Sequence, residues 1–161
     1  MKEEAYSFSL KVFDSIAELN GEDALLLNAA IIATAGSYSP YSQFRVAAAA
    51  MLQNGKIVTG TNQENASYPA GICAERVLLS AASSLFPNEA VSGIAITYLN
   101  EKGESNHPIS PCGLCRQSLL EQERRQQCAI RLILGGAEGI VVVIEKASLL
   151  MPLAFTGDEL Q

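Results

Sequence analysis

Residues 44–61 read FRVAAAAMLQNGKIVTGT. Two apolar runs, Phe44 to Leu52 and Ile57 to Thr61, flank Asn54-Gly55. Both turn residues tolerate positive φ, so the stretch predicts an antiparallel β-hairpin. Ahead of it lies SYSPYS, residues 37–42, a polar loop punctuated by Pro40. Before that, Glu22 to Gly36 is apolar on more than one face, which predicts a well-buried helix stopped by its glycine. Tyr6, Phe8, Leu10 and Val12 alternate with polar residues, the period of a strand. Downstream of the hairpin, a loop from Asn62 to Ile72 leads to a helix from near Cys73 to about Phe86. Val91 to Leu99 is a strand, and a second helix runs from near Cys112 to about Gln126. Two further strands, Ala129 to Leu134 and Ile140 to Ile144, precede a short helix over Lys146 to Leu150. Strands alternating with helices of this length predict a three-layer α/β/α sandwich. The hairpin makes its central sheet of about five strands mixed rather than purely parallel.

The chain has 161 residues, the length of one domain over 1–161, and is 48% hydrophobic and 17% charged. That balance excludes a disordered chain. Its net charge is -6, from 11 basic against 17 acidic residues, which argues against a nucleic-acid partner bound through phosphates. No run is long and apolar enough for a membrane span. The acidic start, MKEEAYSFSLKVFD, does not read as a signal peptide, so the expected compartment is the cytoplasm.

Cysteines stand at 73, 112, 115 and 128. Cys112 and Cys115 have C-x-x-C spacing, and positions i and i+3 share one face of a helix. Cys73 falls at the start of another helix, so all three sulfurs sit where a helix N-terminus favours thiolate. Three protein ligands would leave one tetrahedral position of Zn²⁺ open, the layout of a catalytic site. Arg76 and Arg116 follow these cysteines closely and are candidates to offset the thiolate charge. Cys128 is either a fourth, structural ligand or a buried thiol. It lies beyond a helix that separates its ends by roughly 20 Å, which favours the buried thiol. His107, the single histidine, falls in a polar loop and reads as a solvated residue. Glu75, two residues after Cys73, is a candidate proton carrier beside a metal; taken alone it reads better as an acidic residue stabilising a helix start.

The ordered set C-A-E, then thirty-eight residues after Cys73, P-C-x-x-C, changes that balance. It resembles the zinc deaminase signature in the version where cysteine replaces the histidine ligand. The wider runs YSQFRVAAA, GTNQENASYPAGICAER, ISPCGLCRQ and LLMPLAF closely resemble the homotetrameric type of zinc-dependent cytidine deaminase of pyrimidine salvage. The resemblance covers about residues 37–157. It implies a cytidine deaminase-like fold, a cytidine or deoxycytidine substrate and Zn²⁺ held by Cys73, Cys112 and Cys115. It implies Glu75 as the proton shuttle, and Asn62 and Glu64 as the ribose-binding pair. Phe44 matches the aromatic against the pyrimidine, and Ala66 and Tyr68 match positions lining the pocket. Phe155 resembles an aromatic that closes a neighbouring subunit's site in a homotetramer.

Ala47 stands where the resembled family commonly has glycine, and residues 1–20 match it poorly, as an N-terminal extension. A deaminase of cytosine in nucleic acid would share the zinc chemistry but should carry a basic groove and stacking aromatics. A deaminase of another aminopyrimidine nucleoside, and a non-catalytic zinc domain, are the remaining alternatives. The absence of a Lys/Arg cluster in the expected ribose loop disfavours a nucleotide.

Overall fold

The computed structural model describes residues 1–160. Nine regular elements follow one another. They are β1 (Lys11–Phe13), α1 (Gly21–Ala33), β2 (Phe44–Leu52), β3 (Ile57–Thr61), α2 (Ala74–Leu85), β4 (Val91–Asn100), α3 (Gly113–Gln126), β5 (Arg131–Gly135) and β6 (Val141–Ile144). The strands form one sheet in the order β1-β6-β5-β4-β2-β3. Only β4 and β5 run parallel, because α3 returns the chain between them; every other pair is antiparallel.

The hairpin has the expected bounds, and Gly55 takes φ +80°, the left-handed region that its turn requires. The sheet has six strands rather than about five, because the N-terminal alternation supplies an edge strand. Only Lys11–Phe13 of the expected 6–12 run is paired. The cause lies in β6, which ends at Ile144: the register that sets Lys11 against Val143 would set Ser9 against Glu145, where the partner strand is already over.

Strand alternation divides the core into two layers. Ala48, Ala50 and Leu52 of β2, Ile94 and Ile96 of β4, and Leu132 and Leu134 of β5 pack beneath α2 and α3. Ala49, Ala95 and Ile133 face the other way, against Leu26, Leu27 and Ala30 of α1. This is the α/β/α sandwich expected from the sequence. Four consecutive alanines, 47–50, lie in β2 between the two layers and are fully buried, so helices approach the sheet on both faces.

Helix α1 begins at Asn20, whose side chain accepts from the Asp23 N–H at 2.9 Å. Its regular turns stop at Ala33, and a 3₁₀ turn over Thr34–Gly36 completes the helical run. Asp23 is buried and ion-paired with Arg131 of β5, which ties α1 to the sheet. The buried Glu123 of α3 accepts from the N–H groups of Ile130 (2.7 Å), Ala147 (2.9 Å) and Ser148 (3.1 Å). One carboxylate thus fixes the entry to β5 and the 3₁₀ turn Ala147–Leu150, and its desolvation is offset by charge-assisted bonds. No helix among the described residues is long and apolar enough to cross a membrane.

Candidate metal centre and nucleoside cleft

The placement of α2 follows from Gly60 on β3. A Cβ there would collide with Leu78 N and would lie 2.5 Å from Ala74 O, both backbone atoms of α2. Glycine lets α2 lie directly on the hairpin, and so brings its first turn to the end of β3. Cys73 is the N-cap of α2 and Cys112 the N-cap of α3. Neither thiol caps its helix by a hydrogen bond, so each sulfur stays available. Cys115 lies in the first turn of α3 and is fully buried.

The three sulfurs lie within 4.8 Å of one another, the single such group of His, Cys, Asp and Glu among the described residues. Cys73 and Cys112 are 3.8 Å apart, Cys112 and Cys115 3.4 Å. An ion bound tetrahedrally at about 2.3 Å from each sulfur spaces them by roughly 3.8 Å. Burial pushes the thiol pKa of Cys73 up, and the neighbouring charges of Cys112 and Glu75 add to that. Burial and the charge of Glu75 push Cys115 far up. For Cys112 burial also acts upward, but hydrogen bonds from Cys115, Cys73 and the Leu114 N–H outweigh it and lower its pKa. Three crowded thiolates beside a carboxylate repel one another, and a divalent cation removes the conflict. The sulfur donor set, its spacing and its two helix N-termini all fit zinc.

Glu75 is 4% exposed, and burial raises its carboxyl pKa against the opposing hydrogen bonds of its own N–H and the Cys115 thiol. It borders a cleft of about 580 Å³ together with Cys73 and Cys112. Asn62 to Asn65, Tyr68, Tyr41 and Ser42 also line the cleft, with Val46 and Ile109.

The wall is knitted from three segments of backbone. Tyr38 N–H donates to Asn62 O and Glu64 N–H donates to Tyr38 O, while Gln63 and Ile72 exchange both bonds at 3.0 Å. The loop that carries Asn62 and Glu64 is therefore bonded to the residue before Cys73. Asn62 Oδ1 accepts from Val46 N–H at 2.8 Å and from the Ser37 hydroxyl, and its amide donates to Phe44 O at 3.0 Å. Glu64 accepts from Tyr41 N–H at 2.9 Å and Ser42 N–H at 3.3 Å. The Ser42 hydroxyl and these N–H groups hold its carboxyl below the usual range, against the opposing effect of burial.

Other residues singled out in the sequence fall around this frame. Phe44 does not line the cleft; its half-buried ring stacks on Tyr98 at 4.8 Å and 18°. Tyr68 lines it and is largely exposed, whereas Ala66 is exposed beside the lining residue Asn65. Phe155 is 60% exposed and lies outside the cleft, and its carbonyl accepts from Gln117 at 3.0 Å.

Arg116 differs from expectation: it donates to Pro111 O at 2.9 Å and Leu150 O at 3.3 Å, not to a sulfur. Those carbonyls are fixed acceptors, and the bonds anchor the C-terminal turn to the start of α3. Arg76 has no side-chain hydrogen bond or ion pair among the described residues and borders a groove between α2 and α3. Cys128 stands outside the sulfur cluster and is half-buried rather than buried. It sits just past the left-handed Gln127 that ends α3, within reach of Gln53 at 3.9 Å. His107 is exposed, but its ring meets Tyr98 edge-on at 5.5 Å, 3.0 Å from the phenolic oxygen.

Sequence reading missed Tyr41, Ser42, Val46 and Ile109 as cleft residues. The period-two alternation from Phe44 to Val46 is the signal that would have put the valine on the same face.

A three-layer α/β fold whose two helix starts converge on three cysteines and a buried glutamate, beside a cleft, defines a zinc hydrolase. Residues 21–130 match the family model of the cytidine and deoxycytidylate deaminase zinc-binding region. The chain belongs to that family. It is 36% identical over 136 residues to the cytidine deaminase of Halalkalibacterium halodurans, covering 84% of this chain and 96% of that protein. The crystal structure of cytidine deaminase from Burkholderia pseudomallei superposes with a TM-score of 0.71 at 36% identity, over 85% of this chain and all of that one. The Mycobacterium tuberculosis cytidine deaminase gives 0.64 at 29% identity, over 86% of this chain and 99% of that one.

Proposed function

We propose that this protein is a zinc-dependent cytidine deaminase that hydrolyses cytidine and deoxycytidine to uridine and deoxyuridine plus ammonia. The observation that carries the reading is the juxtaposition of buried Glu75 with the sulfur cluster at the cleft wall. Cys73, Cys112 and Cys115 hold the zinc, which when bound acidifies water and so supplies the nucleophile near neutral pH.

Glu75 moves the protons. Its carboxylate accepts one from the attacking water and delivers it to N3 of the cytosine ring. Water oxygen adds at C4; Glu75 then takes the second proton from that new hydroxyl and gives it to the exocyclic amine, so that the C4–N bond breaks, ammonia leaves and the C4 carbonyl forms. Burial of Glu75 suits this cycle, because a raised pKa brings a carboxyl closer to the operating pH of a general acid and base.

At the sugar end, Glu64 has one carboxylate oxygen not engaged by the Tyr41 and Ser42 N–H groups, and it accepts from a ribose hydroxyl. Asn62 has one amide hydrogen beyond the bond to Phe44 O for the same sugar. Phe44 lies outside the cleft lining, on the same face of β2 as the lining residue Val46; the resemblance to the cytidine deaminases is what supports its contact with the base. Tyr68 lines the pocket, and the resemblance supports a place for Ala66 beside it, next to the lining residue Asn65. A neutral nucleoside suits this wall, whose lining side chains include no Lys or Arg for a phosphate. The resemblance to the homotetrameric type supports a tetramer in which the exposed Phe155 closes a neighbouring site, and a cytoplasmic role in pyrimidine salvage.

The test is turnover of cytidine by zinc-loaded protein, followed by ultraviolet absorbance and ammonia release. Turnover that vanishes on zinc removal and returns with zinc is the expected result. No turnover with one zinc per chain bound would overturn the substrate assignment.

A further inference from the structure

Behind the cleft, a buried tyrosine meets the single histidine of the chain. Tyr98 lies on β4 and is 1% exposed. Its hydroxyl lies 3.0 Å from Nδ1 and 3.3 Å from Nε2 of His107, its only hydrogen-bond partner among the described residues. A buried O–H without an acceptor is costly, so the exposed imidazole supplies what the core around it does not. The β2–β4 register sets Tyr98 directly opposite Val46, which lines the cleft. Side chains paired across strands in this way share one face of the sheet. Phe44, the next residue of β2 on that face, stacks on the Tyr98 ring. Tyr98 therefore backs the cleft and at the same time holds His107.

His107 begins the segment that leads to the metal centre. HPISPC runs from it to Cys112, and Ile109 and Ser110 line the cleft. Among the described residues no hydrogen bond holds Pro108, Ile109 or Ser110; the segment is pinned at its two ends instead. At the far end Pro111 O accepts from Arg116 at 2.9 Å. At the near end stands the Tyr98 contact. Just upstream, the Ser105 hydroxyl accepts from Asn100 N–H at 2.9 Å and its carbonyl from Glu138 N–H at 3.2 Å. The turn between β5 and β6 lies against the same backbone: a Cβ at Gly136 would collide with the Ser105 carbonyl, and one at Gly139 with that of Asn106. These contacts fix residues 105 and 106, and the side chain of His107 fixes the direction in which the chain leaves them. Between the pins the chain is stiff. Pro108 and Pro111 have a fixed φ, and His107 and Ser110, each before a proline, are confined to extended backbone. A shift at His107 is therefore carried to Ile109 and Ser110 rather than absorbed.

We infer that Tyr98 is a positioning residue of the cleft: through His107 it sets the 107–111 segment, and with it the place of Ile109 and Ser110 beside Cys112. Neither Tyr98 nor His107 lines the cleft, so both act through the segment. The consequence for substrate binding rests on the nucleoside reading above; the consequence for the order of the segment does not.

The experiment uses full-length zinc-loaded protein. Tyr98→Phe keeps the ring that stacks on Phe44 and removes only the hydroxyl, and His107→Ala alters an exposed side chain. A loosened segment must be ordered when substrate binds. Each variant should therefore raise KM for cytidine about three- to tenfold, the worth of one hydrogen bond, with kcat within about twofold of the wild type. The double variant should be no worse than either single one, because both remove the same contact. His107→Asn keeps an acceptor at the place of Nδ1 and should recover most of the loss. Independently of substrate, the amide order parameters of Ile109 and Ser110 should fall from about 0.85 in the wild type to below about 0.6 in Tyr98→Phe. Unchanged order parameters overturn the inference, and so does an unchanged KM in an enzyme that turns over cytidine. Additive losses in the double variant overturn it as well. A wild type that takes no cytidine removes the substrate reading alone, and the order parameters then decide this one.

Discussion

The two ends of the cleft use polar groups in opposite ways. At the metal end, Cys73, Cys112 and Cys115 have little but one another to bond, and their crowding asks for a cation. At the end proposed to hold the sugar, Asn62 and Glu64 are already engaged by their own chain: Asn62 bridges Ser37, Phe44 and Val46, and Glu64 holds the N–H groups of Tyr41 and Ser42. A metal ligand must be free of the protein to serve. A sugar contact must be held by the protein to be pointed correctly, because preorganised groups cost less to bring to the substrate. The two motifs look alike as short polar runs. They differ in whether the side chain builds the site or only occupies it.

Changes at the metal end should therefore remove chemistry with little effect on stability. Glu75→Gln keeps one zinc per chain, measured by atomic emission, and lowers kcat by about 10²–10⁴. Near-normal turnover would break the contrast at its strongest point. Between the two ends, Gly60→Ala forces a methyl into the α2 backbone at Leu78 and Ala74. Overpacking of that kind costs about 1–3 kcal/mol, and rigid backbone neighbours place this case at the upper end. Chemical denaturation measures the cost, and zinc affinity should fall with it, since α2 carries Cys73 and Glu75.

At the sugar end, substitutions should disturb structure and binding together. Asn62→Ala leaves the Val46 N–H and Phe44 carbonyl without their partner, a loss of about 1–2 kcal/mol in unfolding free energy, with a raised KM for cytidine. A raised KM at unchanged stability would mean that Asn62 is a sugar contact alone. The smallest effect concerns Glu64. Its carboxyl pKa is depressed in the folded protein, so the stabilisation it gives the 41–42 loop is fully present above the ordinary value of 4.5. It is lost as pH falls through the lowered folded value. The thermal midpoint of the wild type should exceed that of Glu64→Gln at neutral pH, and the gap should close on acidification below that range.

Much of this was legible along the chain. The bounds of β2 and β3 follow from two apolar runs around Asn54-Gly55, because a hairpin is decided by local turn chemistry. The ligand set followed from the order of Cys73, Glu75, Pro111, Cys112 and Cys115. The expected strand over 6–12 shrank to Lys11–Phe13 because a strand needs a partner, and β6 has only four residues. Arg116 was read by its nearness in sequence to Cys115, whereas its length carries the guanidinium to carbonyls at 111 and 150.

The sequence by itself determined which three cysteines cluster as candidate metal ligands, which glutamate stands beside them as the candidate proton carrier, and where the central hairpin and the two helices that follow it lie. Those choices rest on side-chain chemistry and on neighbours within a few positions. Only the tertiary structure decided that Gly60 lets α2 settle on β3, that one buried Glu123 secures both β5 and the 147–150 turn, and that Asn62 braces the hairpin beside the cleft. These depend on close approach and on hydrogen bonds between segments far apart in the chain, which no local pattern records.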